Sequence, residues 1–201
     1  MNEISYRYFN WGPFLFNTTI SEEFRRLILE EGDKVRGDKD ELFVNNLAGH
    51  LDEEYKLRAS RIMEHLQLYI EAYCMAYNQW RGGDVAYLRP NAKLLSLWIN
   101  YMKPGDFNPP HDHSGDLSFV VFPDIPEELI EENKQFAGTL EGPGGISWHY
   151  GDGGNLCISI VHQMPRTGDI YIFPASLLHF VFPFKSDVTR VSASGNLLLT
   201  G

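Results

Sequence analysis

Cysteine is nearly absent from this sequence: 201 residues contain two, Cys74 and Cys157. With no Cys-x-x-Cys pair, a disulfide framework, a thiolate zinc cluster and a dithiol redox centre all drop out, and two reduced thiols, one on a helix and one on a strand, are expected. Long apolar runs are missing too; none approaches the roughly eighteen residues that span a bilayer. No secretory leader pattern is present, so a cytoplasmic protein is expected. Positive charge is scarce, with 17 Lys and Arg against 27 Asp and Glu, a net charge of −10 and a pI near 5.1. That balance argues against a nucleic-acid footprint and against an anionic membrane as partner. No internal repeat or low-complexity linker divides the chain. Its 43% hydrophobic content is enough for one core, so a single domain over 1–201 is expected, with 1–90 mostly helical.

What is present divides into helical signals followed by strand signals. Tyr6, Tyr8, Phe9, Trp11, Phe14 and Phe16 make an aromatic opening, an edge strand or packed arm ending at Gly12-Pro13. Thr19 with Glu22 resembles a capping box, with Ser21 a competing cap, ahead of a helix burying Phe24, Leu27, Ile28 and Val35. After the polar stretch Gly37–Glu41, a second helix opens at Asp52 or Glu53 and runs to Trp80. Its stripe is Leu57, Ile62, Leu66, Tyr69, Ile70, Tyr73 and Cys74, and Arg81-Gly-Gly-Asp84 stops it. His65 on this helix is a surface or packing histidine. From Lys93 onward the pattern is β: 93–102, 117–122, 156–161, 169–173, 177–182 and 189–199, with an acidic helix after Pro126. The expected class is α+β, two sheets forming a sandwich or jelly-roll barrel with the N-terminal helices packed outside. The glycine-dense run Gly142 to Asn155 reads as a mobile connection; it lacks the Lys-Ser/Thr and helix of a phosphate cradle. Trp148 and His149 at its centre are candidates for a substrate mouth.

The chemistry gathers in two stretches. In Asn108-Pro-Pro-His-Asp-His-Ser-Gly-Asp-Leu-Ser-Phe-Val-Val-Phe122, His111 and His113 stand two apart. On an extended backbone that spacing puts both imidazoles on one face. His179, inside a later apolar strand, can close a triad from across a sheet. Three imidazoles without a thiolate suit a borderline divalent ion such as Fe(II), Mn(II) or Zn(II). Asp116 is the rival, because mononuclear Fe(II) oxygenases commonly use two histidines and a carboxylate; Asp112 alternates away. The preferred ligands are His111, His113 and His179, with Asp116 as outer partner or replacement. The last strand alternates Arg190, Ser192, Ser194 and Asn196 against Val191, Ala193 and Leu197. Reading Phe184–Asp187 as a hairpin turn sets His179 roughly opposite Ser192, with Arg190 diagonal to it. The guanidinium fork matches a carboxylate, and Ser192 adds a hydrogen bond.

Together, His111-x-His113, Leu117-Ser-Phe-Val-Val-Phe, Gly168-Asp-Ile-Tyr-Ile-Phe-Pro with His179, and Arg190-x-Ser192 resemble the 2-oxoglutarate/Fe(II)-dependent oxygenases, nearest to a phage and bacterial group related to prolyl 4-hydroxylases. The resemblance covers about 94–198. It implies a double-stranded β-helix (jelly-roll) core, Fe(II) on the three histidines, and 2-oxoglutarate and dioxygen as cosubstrates. It further implies Arg190 and Ser192 on the distal carboxylate and, by position ten residues before His111, Tyr101 facing the cosubstrate. His113 stands where most of the superfamily has Asp or Glu. The implied reaction decarboxylates 2-oxoglutarate and hydroxylates an unactivated C–H bond, in a prolyl or other protein side chain or in a small molecule. Trp98, Phe119 and Phe173 are candidate walls. Two other readings share these residues: a cupin-type metal enzyme that does not use 2-oxoglutarate, and a metal-stabilised binding module that grips a partner with Trp148 and the glycine-rich loop.

Overall fold

The computed structural model describes residues 12–43, 49–58, 60–83, 86–138, 142–154 and 156–200. Tyr6, Tyr8, Phe9 and Trp11 of the expected arm, together with Asp84 and Asn155, lie outside these. The first described strand, β1 (Phe16–Thr19), follows Gly12-Pro13. Helix α1 (Glu22–Val35) is capped by Ser21, whose Oγ accepts from the Phe24 N–H at 3.2 Å; Thr19 is the last residue of β1. Phe24, Leu27, Ile28 and Val35 are buried on one face of the helix. Gly32 lies where α1 meets the sheet: a Cβ there would stand 2.5 Å from Ile99 Cδ1 and from the Tyr101 hydroxyl.

The second helix starts later than its periodicity predicts. Strand β2 (Glu54–Lys56) occupies the segment assigned to its first turn, and α2 runs Ser60–Trp80. The reason is tertiary: β2 supplies hydrogen bonds to the open edge of β3 (Ala92–Met102), pairing Glu54 with Asn100, and an edge pairing outweighs a weak helical propensity. The predicted stripe from Ile62 to Cys74 is buried. Tyr69 accepts from the Ser21 N–H at 2.9 Å, joining the two helices. His65 stacks on Phe24 and takes no part in a metal cluster.

The remaining elements are β4 (Asn108–His111), β5 (Leu117–Asp124), α3 (Glu127–Lys134), β6 (Ile146–His149), β7 (Ile160–Gln163), β8 (Asp169–Pro174), β9 (Leu178–Val181) and β10 (Arg190–Leu199). They form two antiparallel sheets: six strands ordered β1-β8-β5-β10-β3-β2, and four ordered β4-β9-β6-β7. The first 90 residues thus contribute both edge strands of the large sheet as well as the helices. Strand alternation divides that sheet's two faces. Leu97, Ile99, Tyr101, Leu117, Val121, Ile170, Ile172, Val191 and Ala193 pack with α1 and α2. Met102, Val120, Phe122, Tyr171 and Phe173 meet Ile146, Trp148 and Val181 of the small sheet.

Three expectations change. Strands β9 and β10 do not form a hairpin: β9 pairs with β4 and β6, whereas β10 pairs with β3 and β5. Segment 182–189 instead crosses between the sheets. Glu132 holds it, accepting from the Lys185 and Ser186 backbone N–H groups at 2.9 and 2.8 Å. The predicted strand 156–161 begins only at Ile160; Leu156 and Ile158 are exposed, and Cys157 is in the same exposed loop. The glycine-rich run contains β6, and Trp148 is buried between Tyr171 and Phe173, with ring centroids 5.0 and 5.7 Å away. A Trp packed in the core cannot grip an external partner. No described helix is long and apolar enough to cross a membrane.

Candidate active site

His111 ends β4, and His113 follows it outside the strand, where its backbone N–H donates to the Ala175 carbonyl at 2.9 Å. The two histidines do not continue into β5. Ser114-Gly115-Asp116 turns the chain from the small sheet to the large one. Gly115 has φ +98°, and a Cβ there would sit 2.7 Å from the Leu197 carbonyl oxygen, so glycine is required on both counts. Strand β9 brings the third imidazole, because His179 is the registered partner of His111. Ring centroids are 4.9 Å apart for His111–His113, 4.3 Å for His111–His179 and 5.0 Å for His113–His179. One ligand nitrogen from each ring lies within 4.8 Å of the others.

The tautomers follow from hydrogen bonding. Nδ1 of His111 lies 2.7 Å from the Pro109 carbonyl, and Nδ1 of His179 lies 2.9 Å from the Leu177 carbonyl. A carbonyl only accepts, so both Nδ1 atoms carry the proton and both Nε2 lone pairs are free. Burial, reinforced by the neighbouring imidazoles, pushes His179 down to about 3 and His113 to about 4. Burial also lowers His111. All three are neutral at pH 7, the form that ligates a metal. Three neutral nitrogen donors, two of them oriented by backbone carbonyls, fit a borderline divalent ion such as Fe(II). Asp116 does not join them. It is exposed, and its carboxylate accepts from the Leu199 N–H at 2.7 Å, fastening the end of β10.

The triad opens on a cavity of about 290 Å³ between the two sheets, which Arg190, Ser192, Asn100, Glu54 and Asp112 also line. Arg190 is buried, 2% exposed, on the inner face of β10. One side of its guanidinium is engaged: Nη1 lies 3.8 Å from Met102 Sδ and 3.5 Å from Ser192 Oγ. Phe122 covers one face of the group at 4.8 Å. Nε and Nη2, the parallel donor pair that grips a carboxylate edge-on, have no partner. Burial pulls the group down to about 9, which leaves it charged at pH 7.

A family model described as "Putative 2OG-Fe(II) oxygenase" matches residues 96–196, half of the chain. The chain belongs to the 2OG-Fe(II) oxygenase family. Its cosubstrates are therefore 2-oxoglutarate and dioxygen, and its metal is Fe(II). No curated protein matches the sequence. Among solved structures, a prolyl-4-hydroxylase of Pseudomonas putida is similar at a TM-score of 0.58 and 15% identity, covering 93% of each chain. The viral collagen prolyl hydroxylase of Paramecium Bursaria Chlorella virus-1, in its 2OG complex, gives 0.58 and 14%, covering 92% of this chain and 96% of that one. HygX of Streptomyces hygroscopicus, with nickel, 2-oxoglutarate and hygromycin B bound, gives 0.55 and 11%, covering 94% and 83%. At these identities the likeness is one of fold.

In this oxygenase Tyr101 does not reach the cavity. Odd-numbered residues of β3 face the helices, so its ring lies under Arg36, 4.1 Å from the guanidinium, with its hydroxyl beside Gly32. Its neighbour Asn100 faces the cavity instead, as do Trp98 and Phe173, whereas the Phe119 ring packs with Leu117 and Val121 on the helix side and is no wall of the site. Arg190 and Ser192 line the cavity too, but they face His179 from the opposite sheet rather than from an adjacent strand. Asn100 and Glu54 were missed by sequence reasoning. Asn100 was within reach, since Trp98, Asn100 and Met102 share one face of a predicted strand. Glu54 was hidden by its assignment to a helix.

Proposed function

We propose that this oxygenase hydroxylates an unactivated C–H bond at the cavity between the sheets. His111, His113 and His179 hold the Fe(II), and Arg190 and Ser192 hold the distal carboxylate of 2-oxoglutarate. The core is a double-stranded β-helix within a single domain. The bound metal and keto acid supply the oxidising power, coupling decarboxylation to succinate with transfer of oxygen into the substrate. The chain's own groups position and shield. His111 and His179 keep their Nδ1 protons on backbone carbonyls so that Nε2 faces inward. Arg190, charged in a dry wall, offers its open donor pair to an anion. Trp98 and Phe173 exclude water.

One observation carries the reading: a buried guanidinium with an unused carboxylate-binding edge shares a cavity with three convergent imidazoles. A metal enzyme that binds no carboxylate has no use for that edge. The likeness to two prolyl hydroxylases supports a protein side chain, prolyl or another, as substrate, with a free small molecule the alternative. Anaerobic titration with Fe(II) and 2-oxoglutarate tests the reading. A visible charge-transfer band is expected in the wild type and absent in Arg190→Ala, with iron still bound. Bound iron without a band in the wild type overturns it.

A further inference from the structure

The large sheet carries a second buried polar feature that 2-oxoglutarate cannot satisfy. Glu54 is 1% exposed and lines the cavity, and its Oε2 has no hydrogen-bond partner. It forms no ion pair among the described residues. Burial, and then Asp106, push it up to about 7, with no basic group acting against them. The registered neighbour of Glu54 is Asn100, 4% exposed, whose Oδ1 is likewise unpartnered. Next in the same row is Ser192, whose Oγ already receives Asn100 Nδ2 and Arg190 Nη1, each at 3.5 Å. Two orphan acceptors therefore stand side by side on paired strands.

A buried acceptor without a donor is costly, and such atoms in a native chain call for a partner. The keto acid is ruled out, because as a dianion it brings only acceptors and Arg190 is the group that meets it. A prolyl ring inside a polypeptide has no N–H either. A group with several donors and a positive charge answers both oxygens and neutralises Glu54. The surroundings favour it: Asp112 also lines the cavity, and the chain carries −10 overall.

We propose that Glu54, with Asn100 Oδ1, is the specificity-determining point for a primary ammonium on the substrate. This deepens the oxygenase reading and rests on it for the place of the reaction. The test uses saturation-transfer NMR on the whole chain, both metal-free and loaded with Zn(II) and 2-oxoglutarate. The probes are butylammonium and butan-1-ol, a neutral molecule of the same shape. Butylammonium binds about tenfold more tightly in the wild type, the size of one charge-assisted hydrogen bond. In Glu54→Gln the preference disappears while 2-oxoglutarate binds as before. Nα-acetyl-lysine N-methylamide, with the same ammonium on a peptide backbone, binds more tightly than butylammonium if the source is a polypeptide and less tightly if it is a free amine; either order supports the site. Equal affinity of the wild type for butylammonium and butan-1-ol overturns the proposal, as does a preference that survives Glu54→Gln. Failure of 2-oxoglutarate to bind the loaded wild type defeats the oxygenase reading separately, since the ammonium preference is also measured without metal.

Discussion

The small-sheet wall and the large-sheet wall of the cavity both bury polar side chains, yet they satisfy them in opposite ways. On the small sheet His111 and His179 each bond a carbonyl two residues earlier in the chain, and only Nε2 is left over. On the large sheet Arg190, Asn100 and Glu54 all retain unpartnered atoms. The first wall is complete apart from one coordination direction per ring. On the proposed reading the second is finished only by its ligands, so its stability and its function pull against each other.

Breaking the first wall has the largest effect. His179→Ala removes one of the three proposed ligands and is expected to weaken metal retention by more than roughly 100-fold, beyond the loss of a mere supporting partner; metal content after dialysis measures it. On the second wall, Arg190→Met is expected to weaken 2-oxoglutarate binding by roughly 100-fold, the size of a lost bidentate charged contact. It should also stabilise the ligand-free fold by about 1–4 kcal/mol, because it removes a buried charge that has no carboxylate partner. Calorimetry of binding and denaturant unfolding give the two signs.

Acid sharpens the contrast further. His179 and His113 titrate at about 3 and about 4 in the folded chain, against an ordinary 6.5. The unfolded chain takes up those protons first, so their contribution is present above pH 6.5 and is lost as pH falls toward 3. Glu54 behaves oppositely. Raised from 4.5 to about 7, it contributes stability that is full below pH 4.5 and is lost as pH rises through 7. Glu54→Gln should flatten that loss, worth up to roughly 3 kcal/mol, in denaturation of the metal-free protein at pH 5 and pH 8.

Asp116→Ala removes the contact to Leu199 and is expected to cost about 1 kcal/mol with metal affinity unchanged. The smallest effect belongs to Tyr101→Phe. Its hydroxyl is buried without a partner on the helix-facing side, so stability changes by less than about 1 kcal/mol and 2-oxoglutarate affinity is unaffected.

Much of this arrangement was legible in the chain before any coordinates. The strand from Ala92 to Met102, the cores of both helices and the alternation from Arg190 to Asn196 follow from side-chain period alone. The convergence of His111, His113 and His179 was legible from donor type and spacing. Tyr101 was misplaced because a likeness in position along the chain is blind to parity, and one residue decides which face of β3 a side chain takes. Glu54 was misread because three residues of strand beside a helical stripe carry almost no local signal.

By itself, the sequence determined which side chains travel together: an imidazole pair two apart, and a guanidinium and a hydroxyl two apart on one face of an extended strand. Only the tertiary structure decided which sheet each strand joined. It set β9 across from β10 rather than beside it, and laid Glu54 next to Asn100. Those choices rest on hydrogen bonds between residues far apart in the chain, and backbone N–H and C=O groups are the same at every position, so no local pattern announces them.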